Sequence, residues 1–248
     1  MNPIGHQIIR LDETESSNTM ILNNPAYLEN HGMVLVADHQ TAGRGRVGRK
    51  WVSLPGKQLQ FSVVIHPTLP REQVPLMSLM AGVVVAEVLE SNLSLKPKLK
   101  WPNDVQLGDK KVCGILIELK TLKRKEPWLV VGIGINCLGQ SDAFPADVRG
   151  LLTTLEEHAE GEIDREILLS GILAGMEKWF QRLVAGESEA LLDAWRERAE
   201  LEGKRVRFPT SRGPEEGDVK GISEEGFLLV ETAEGEGFAL SSGIVEWL

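Results

Sequence analysis

The fold is decided by one stretch of the chain, residues 40–51, which reads Gln40-Thr41-Ala42-Gly43-Arg44-Gly45-Arg46-Val47-Gly48-Arg49-Lys50-Trp51. It is too rich in glycine for a helix interior, where each glycine costs about 1 kcal/mol relative to alanine, and too polar for the core of a strand. The apolar run before it, residues 33–37, is typical of a buried strand. The stretch is therefore predicted to be a loop leaving the end of a strand, where ligand sites commonly lie.

The composition of this loop suits a ligand that carries both a phosphate and a ring. Its glycines let the backbone approach a ligand closely and present N–H groups to it. Cations lie at Arg44, Arg46, Arg49 and Lys50, and Trp51 closes the loop with a flat apolar face. Because guanidinium groups bind phosphates bidentately and stack on rings, the loop is predicted to bind a nucleotide.

Charge bears on how the loop behaves and on what else it could be. Its four cations repel one another and Asp38 is the one carboxylate nearby in sequence, so we expect the loop to be mobile until an anion binds. A disordered nucleic-acid-binding tail is disfavoured, because such binding relies on excess cations and this chain has a net charge of −9. A Walker A loop is excluded because no Gly-Lys-Ser/Thr follows at the required spacing.

Length and composition predict a soluble chain with a large core. The 248 residues are 42% hydrophobic and 25% charged, which is ordinary for a globular protein. No apolar run predicts a membrane span and residues 1–6 lack a signal pattern, so a cytoplasmic location is expected. Cys113 and Cys137 lie in apolar runs and are expected to be free and buried. The five histidines are scattered, and no metal site is predicted.

Helix and strand signals lie on both sides of the loop. Residues 6–11 and 58–65 predict strands. Residues 16–19 offer N-caps for a helix, and the residues alone favour capping over ligand binding. Residues 76–89 are apolar nearly all round, which predicts a helix buried across a sheet.

Two later segments carry polar groups on predicted strands. Residues 98–119 predict a hairpin that carries Lys100 and Lys111, and each lysine is either a solvated edge residue or directed into a pocket. A strand is predicted over residues 128–137, with one face formed by Gly132, Gly134 and Asn136. That face leaves room for a ligand or for a closely packed helix, and both alternatives stay open.

The last part of the chain predicts helices and then a small barrel. Helices are expected over residues 151–159, 164–183 and 187–200. Gly203 marks a boundary between two units, residues 1–202 and 203–248. Short strands that would form a barrel are expected over residues 205–208, 217–222, 226–231, 237–240 and 243–248.

Four motifs stand in a fixed order along the chain. They are Ser16-Ser17-Asn18; residues 40–51; Lys100-Trp101-Pro102-Asn103-Asp104; and Lys111 with Gly114-Ile115-Leu116-Ile117-Glu118, followed by Gly132-Ile133-Gly134-Ile135-Asn136. Their order and composition resemble the biotin–protein ligases, and the resemblance covers the whole chain. The loop and the Lys-Trp-Pro-Asn-Asp turn together form a highly specific signal.

The resemblance implies a fold and an activity. The fold is α+β, with a class II synthetase-like catalytic domain (mixed sheet, flanking helices) over residues 1–202 and an SH3-like barrel over residues 203–248. The activity is ATP-dependent activation of biotin as biotinyl-5′-AMP, with Mg²⁺, and transfer to a lysine of a biotin carboxyl carrier protein domain. Members that repress transcription carry an N-terminal DNA-binding domain, which is not expected here because the motifs begin near residue 16.

The resemblance also implies which residues bind each substrate. Biotin is expected to contact Ser16, Ser17, Asn18, Gln40, Gly43, Arg44, Gly45, Arg46, Lys111, Gly114 and Gly132. ATP is expected to contact Arg46, Arg49, Trp51, Lys100, Asn103, Lys111 and Asn136. Lys111 and Arg46 are the expected catalytic residues, and Lys111 would bridge the biotin carboxylate and the α-phosphate.

Some features leave alternatives open. Ser17 stands where the family usually has threonine, which keeps the hydroxyl, and Val47 stands where relatives often have a basic residue. Lipoate–protein ligases share the chemistry and the catalytic fold, but the loop and the barrel favour biotin. A biotin-responsive regulatory or nucleic-acid-binding protein is a further alternative, which the acidic charge disfavours. The resemblance also suggests a homodimer formed edge to edge.

Overall fold

The computed structural model of the protein describes residues 1–66, 70–121, 127–241 and 245–248. The larger sheet contains β1 (Gln7–Thr14), β2 (Met33–Gln40), β3 (Gln58–Ile65), β4 (Lys98–Lys100), β5 (Asp104–Leu107), β6 (Lys110–Lys120) and β7 (Trp128–Asn136). The helices are α1 (Ser17–Asn23), α2 (Pro25–Leu28), α3 (Leu76–Leu93), α4 (Arg165–Val184) and α5 (Ser188–Arg196). The smaller sheet contains β8 (Arg205–Thr210), β9 (Gly213–Ile222), β10 (Leu228–Thr232), β11 (Gly237–Leu240) and β12 (Glu246–Trp247).

The larger sheet is mixed, as expected for the predicted α+β class. Its strand order is β1-β2-β3-β7-β6-β5-β4. β1 and β2 run parallel, and every other neighbouring pair is antiparallel. The segment predicted as one hairpin, residues 98–119, is a three-stranded meander of β4, β5 and β6, because the turn at residues 108–109 adds a reversal to the one after β4.

Helices α3 and α4 lie on one face of this sheet, and α5 packs on these two helices. α3 is buried nearly all round, as its composition predicts, and Gly171 and Gly175 of α4 pack closely on its Val88 and Val84 side chains. The stretch Arg71–Leu93 is long and apolar enough to cross a membrane by length and composition, contrary to the sequence prediction, but its apolar window is 67% buried inside the protein. Such burial is typical of a core helix.

The smaller sheet packs against the start of α3. Its strands are all antiparallel, in the order β11-β10-β9-β8-β12. The Trp101 indole nitrogen donates a hydrogen bond to Gly226 O at 3.0 Å, and the space beside Gly226 is filled by Leu76 and Leu79. The core therefore continues from one sheet to the other. The first residues of the last predicted strand, Gly243 and Ile244, lie outside the described residues.

The helix predicted over residues 151–159 is wrong. Lys111 N donates a hydrogen bond to Leu151 O at 3.0 Å, and Thr153 N donates to Lys111 O at 2.9 Å. This segment is therefore extended beside β6, and its backbone groups pair with Lys111 instead of with one another as in a helix. A short 3₁₀ turn follows at Leu155–Glu157.

Glu157 fastens this extended segment. Its carboxylate accepts hydrogen bonds from the Thr153 hydroxyl, from Ser141 N at 2.7 Å and from Thr154 N at 3.4 Å. Partial burial acts to raise the pKa of Glu157, but these hydrogen bonds outweigh it and lower the pKa from 4.5 to about 2.

Lowering the pH is expected to reduce the free energy of unfolding through protonation of Glu157. A carboxylate with a lowered folded-state pKa stabilises fully above the unfolded pKa, here 4.5, and loses its contribution as the pH falls toward about 2. Glu157→Gln should therefore lower the free energy of unfolding by roughly 1–3 kcal/mol at pH 7, and the difference should shrink between pH 5 and pH 3. Denaturant titrations across this range test it, with Glu160→Gln at an exposed neighbour as the control. A difference that does not change with pH would contradict this account.

Candidate active site

A cavity of about 380 Å³ lies where the loop of residues 40–51, the larger sheet and β12 meet. Its volume lies within the range of small-molecule sites, roughly 300–1,000 Å³. The structure brings the expected site residues together around this cavity, except Gly43 and Asn136. Gly43 instead allows the loop to close, since a Cβ there would lie 2.5 Å from Trp51 O.

The cavity is strongly cationic, although the chain as a whole has a net charge of −9. Its cationic lining residues are Arg44, Arg46, Arg49, Lys50, Lys100 and Lys111, and its lining carboxylates are Asp104 and Glu246. Two opposite unit charges about 4 Å apart attract by about 4 kcal/mol at an effective dielectric constant near 20. The lining therefore favours a ligand with several negative charges.

Lys111 reaches this cavity because of a β-bulge. The register of β5 on β6 shifts between Val105 and Gln106, so that Val112 is an extra residue. Lys111 and Gly114 are three residues apart and would otherwise point to opposite faces of the sheet. The bulge returns Lys111 to the face of Gly114, where a Cβ on the glycine would lie 2.9 Å from Lys111 Nζ.

Asp104 holds the Lys111 ammonium without enclosing it. Lys111 Nζ lies 2.6 Å from Asp104 Oδ1, but Oδ1 is buried and accepts no hydrogen bond from the described residues. The contact is therefore ionic rather than a well-directed hydrogen bond. Because the Lys111 side chain remains 33% exposed, its ammonium can still contact anionic groups of a ligand.

The glycines of β6 and β7 form a flat floor. Gly114 lies opposite Gly134, and Leu116 lies opposite Gly132. A Cβ on Gly134 would lie 2.6 Å from Trp51 Cζ2, and one on Gly132 would lie 2.5 Å from Asn18 Oδ1. The room left by the glycines is thus occupied by two cavity-lining side chains rather than by a close-packed helix backbone.

The end of the cavity near α1 is lined by the neutral polar side chains of Ser17, Asn18 and Gln40. Gln40 Oε1 accepts a hydrogen bond from Ser17 N at 2.8 Å. Ser62 Oγ lies 2.6 Å from Ser17 Oγ and 2.5 Å from Asn18 Oδ1. Buried Gln60 accepts from Gln40 Nε2 at 2.9 Å and from Trp51 Nε1 at 3.0 Å. This network extends from the polar end to the indole, and the sequence indicated neither Gln60 nor Ser62, since strand residues give no local signal of such contacts.

The loop itself is folded into a closed turn. Gly45 N donates a hydrogen bond to Arg49 O at 2.7 Å, and Trp51 N donates to Gly43 O at 2.9 Å. Asp38, the carboxylate nearest to the loop in sequence, pairs with Arg165 at 3.0 Å instead of with a loop cation.

Two loop arginines contact groups that are distant in sequence. Arg44 Nη2 lies 2.6 Å from Glu118 Oε1, and Arg46 Nη1 donates to Asn103 Oδ1 at 3.2 Å. Burial lowers the pKa of Arg46, while the nearby Asp104 raises it, and a guanidinium remains charged in either case. The predicted mobility of the loop stays a prediction.

Asn136 shares the strand face of Gly132 and Gly134, but it is buried beyond the cavity and does not line it. It is 2% exposed; its Nδ2 donates to Thr153 O at 3.2 Å and its Oδ1 accepts from Gln58 Nε2 at 3.3 Å. Both ends of its amide are thus engaged by the protein, and the expected contact with adenine stays a prediction.

β12 and the residue before it line the cavity, although no site residue was predicted there. Val245, Glu246 and Trp247 line the cavity, and Lys100 Nζ lies 5.8 Å from the centroid of the Trp247 ring, within cation–π range. No motif near the end of the chain indicated these contacts.

Cys113 and Cys137 are free and buried, as predicted.

Gly134→Ala is expected to weaken nucleotide binding. The added Cβ would overlap the Trp51 ring. If Trp51 stacks on a nucleotide base, as the resemblance implies, displacing its ring costs roughly 1–3 kcal/mol. The KM for the nucleotide should rise about 5- to 100-fold. The KM for the ligand that binds beside Ser17 and Gln40 should change much less. Gly161→Ala, which would meet nothing within 4 Å, is the control. Unchanged ATP kinetics in Gly134→Ala would contradict the stacking role of Trp51.

Two protein-family models match the sequence. Residues 11–136 match the Biotin/lipoate A/B protein ligase family. Residues 203–247 match the Biotin protein ligase C terminal domain.

Individual relatives extend this match over most of the chain. The bifunctional ligase/repressor BirA of Bacillus spizizenii is 33% identical over 235 residues, which is 94% of this chain and 71% of that protein. The biotin–[acetyl-CoA-carboxylase] ligase of Mycobacterium tuberculosis is 30% identical over 239 residues, covering 94% of this chain and 86% of that protein. The structure of a biotin protein ligase from Aquifex aeolicus in complex with biotin and ATP superposes with a TM-score of 0.84 at 31% identity, covering 98% of this chain and 99% of that one.

Proposed function

Because this chain belongs to the Biotin/lipoate A/B protein ligase family, we propose that it activates biotin with ATP as biotinyl-5′-AMP and transfers the biotinyl group to one lysine of a biotin carboxyl carrier protein domain. It is a biotin protein ligase. The observation that carries the detailed proposal is that Lys111 and Arg46 lie in the same cavity as the neutral polar side chains of Ser17, Asn18 and Gln40 near α1. Biotin matches this arrangement, with a carboxylate at one end and a neutral ureido ring at the other.

In the first step, a biotin carboxylate oxygen attacks the α-phosphorus of ATP. A bond forms between the carboxylate oxygen and the α-phosphorus, which gives a mixed anhydride. The bond from the α-phosphorus to the oxygen that bridges to the β-phosphate breaks, and pyrophosphate leaves. Both reactants are anionic, so positioning and charge stabilisation matter more than covalent help from the protein. Lys111 is placed to bridge the carboxylate and the α-phosphate, with Arg46 on the phosphate side.

In the second step, the neutral amine of a carrier lysine attacks the acyl carbon of biotinyl-5′-AMP. An amide bond forms as the amine nitrogen loses a proton, the bond from the acyl carbon to the phosphate oxygen breaks, and AMP leaves. The adenylate is a mixed anhydride that water would hydrolyse, so the loop of residues 43–50 covering the cavity would keep water out.

We propose that Mg²⁺ enters with ATP rather than through a protein cage. No group of three His, Cys, Asp or Glu side chains that could hold a metal occurs in the described part of the chain. Magnesium is commonly bound through substrate phosphates with one or two carboxylates, and Asp104 lines the cavity. When bound, the ion would neutralise phosphate charge.

The polar end of the cavity favours biotin over lipoate. Ser17, Asn18 and Gln40 offer hydroxyl and amide groups, which can pair with the ureido N–H and C=O of biotin. These groups already have partners within the protein, but amide and hydroxyl groups can make further hydrogen bonds, which the ureido ring of biotin can use and the dithiolane ring of lipoate cannot.

We further propose a cytoplasmic protein that acts without nucleic acid and forms a homodimer through a sheet edge, such as the outer strand β1. The carrier would be a domain of a biotin-dependent carboxylase. Residues 203–248 would form an SH3-like unit that borders the nucleotide, since Glu246 and Trp247 line the cavity.

Pyrophosphate release tests the first step and the substrate together. The protein with ATP and Mg²⁺ should release pyrophosphate when biotin is added, and lipoate should give little or none. Release with lipoate alone would make this a lipoate-type ligase. Added DNA should not alter the rate; a DNA-dependent rate would favour the regulatory alternative.

A further inference from the structure

Glu118 lies between the loop and α1 and contacts both. Its Oε1 is 2.6 Å from Arg44 Nη2, and its Oε2 accepts a hydrogen bond from Asn18 Nδ2 at 3.1 Å. Arg44 also donates to Thr19 Oγ1 at 3.1 Å. One carboxylate thus joins a loop arginine to a side chain of the polar end.

The sheet places Glu118 for this contact. Residues 114, 116 and 118 alternate along β6, so Glu118 lies on the same face as the glycine floor but nearer the polar end. Its side chain is 18% exposed, whereas that of Arg44 is 47% exposed. A carboxylate so sheltered from water holds a guanidinium more firmly than a surface ion pair does.

The orientation of Asn18 depends on the same carboxylate. Asn18 Nδ2 donates to Glu118 Oε2 and to Leu116 O at 3.3 Å, while Asn18 Oδ1 lies 2.5 Å from Ser62 Oγ. Glu118 can only accept hydrogen bonds when ionised, so it fixes which end of the Asn18 amide faces the serine.

We propose that Glu118 is a positioning residue that latches residues 43–50 onto α1 and orients Asn18, so that one carboxylate couples closure of the loop to the geometry of the biotin end. This inference rests on the proposed function for its kinetic consequences. The latch itself is a property of the protein without substrates.

The test combines hydrogen exchange with release of the intermediate. In Glu118→Gln, amide exchange in residues 43–50 should rise about 10-fold while β7 keeps its protection, and preformed biotinyl-5′-AMP should dissociate about 10-fold faster. Glu118→Asp keeps the charge, so the increases in loop exchange and in dissociation rate should both be smaller than in Glu118→Gln. Glu166→Gln is the matched control, because Glu166 pairs with Arg10 at 2.5 Å, far along the chain and exposed.

A double-mutant cycle separates the latch from a general structural effect. If Glu118 acts through Arg44, Arg44→Met should raise loop exchange as much as Glu118→Gln does, and combining the two should add little. Unchanged loop exchange in Glu118→Gln, or effects that simply add, would overturn the latch. Loss of exchange protection throughout the protein would overturn it too, because the carboxylate would then support the fold as a whole. Inactivity of the unmutated protein, with loop exchange still dependent on Glu118, would instead count against the proposed function alone.

Discussion

Lys111→Ala is expected to slow formation of biotinyl-5′-AMP by about 10²–10³, as for the loss of one preorganised charge-stabilising donor. The ammonium is placed in the cavity by the bulge at Val112 and by the room at Gly114, and no other lysine of β6 lines the cavity. Biotin affinity should fall much less, because the polar end of the cavity is untouched.

Two measurements check this prediction. Biotin-dependent pyrophosphate release gives the rate of adenylation, and calorimetric titration gives the affinity for biotin. Lys110→Ala, at the exposed neighbouring position, is the matched control and should behave like the unmutated protein. Normal pyrophosphate release by Lys111→Ala would return this lysine to the role of a solvated strand edge.

Arg46→Gly is expected to release the activated intermediate. If Arg46 donates a charge-assisted hydrogen bond to the adenylate phosphate, as proposed, that bond contributes about 1.5–3 kcal/mol, and its loss should speed dissociation of biotinyl-5′-AMP by about one to two powers of ten. Lys111 remains, so adenylation should slow but continue. The freed mixed anhydride would then acylate lysines of unrelated proteins.

Release of biotinyl-5′-AMP can be detected by the labelling of an unrelated protein. Each variant is incubated with biotin, ATP, Mg²⁺ and serum albumin, and the albumin is then blotted for biotin. Strong labelling is expected with Arg46→Gly, and little with the unmutated protein or with Arg149→Gly in an exposed turn. If Arg46→Gly still releases pyrophosphate yet leaves albumin unlabelled, Arg46 does not retain the intermediate.

The parts of the site that were predictable rest on local composition. The many glycines of residues 40–51 disfavour a helix interior whatever the rest of the fold. Alternate positions on β7 share a face, so Gly132 and Gly134 lie on one face as predicted. The apolar composition of α3 likewise predicted its burial. These properties depend on neighbours in sequence.

The parts that were not predictable depend on contacts between distant residues. The bulge at Val112 arises from pairing with β5, and it decides whether Lys111 faces the core or the cavity. Residues 151–153 are extended because β6 accepts them as a neighbour, which local helix propensity cannot reveal. The Glu118–Arg44 contact spans 74 positions of sequence.

Intact-mass spectrometry of the acceptor tests the central claim most directly. A biotin carboxyl carrier domain is incubated with this protein, ATP, Mg²⁺ and biotin, alongside the same domain with its acceptor lysine changed to arginine. The account predicts a mass gain of one biotinyl group on the first domain, and none on the arginine variant or without ATP. No gain with biotin, or a gain with lipoate in its place, would contradict it.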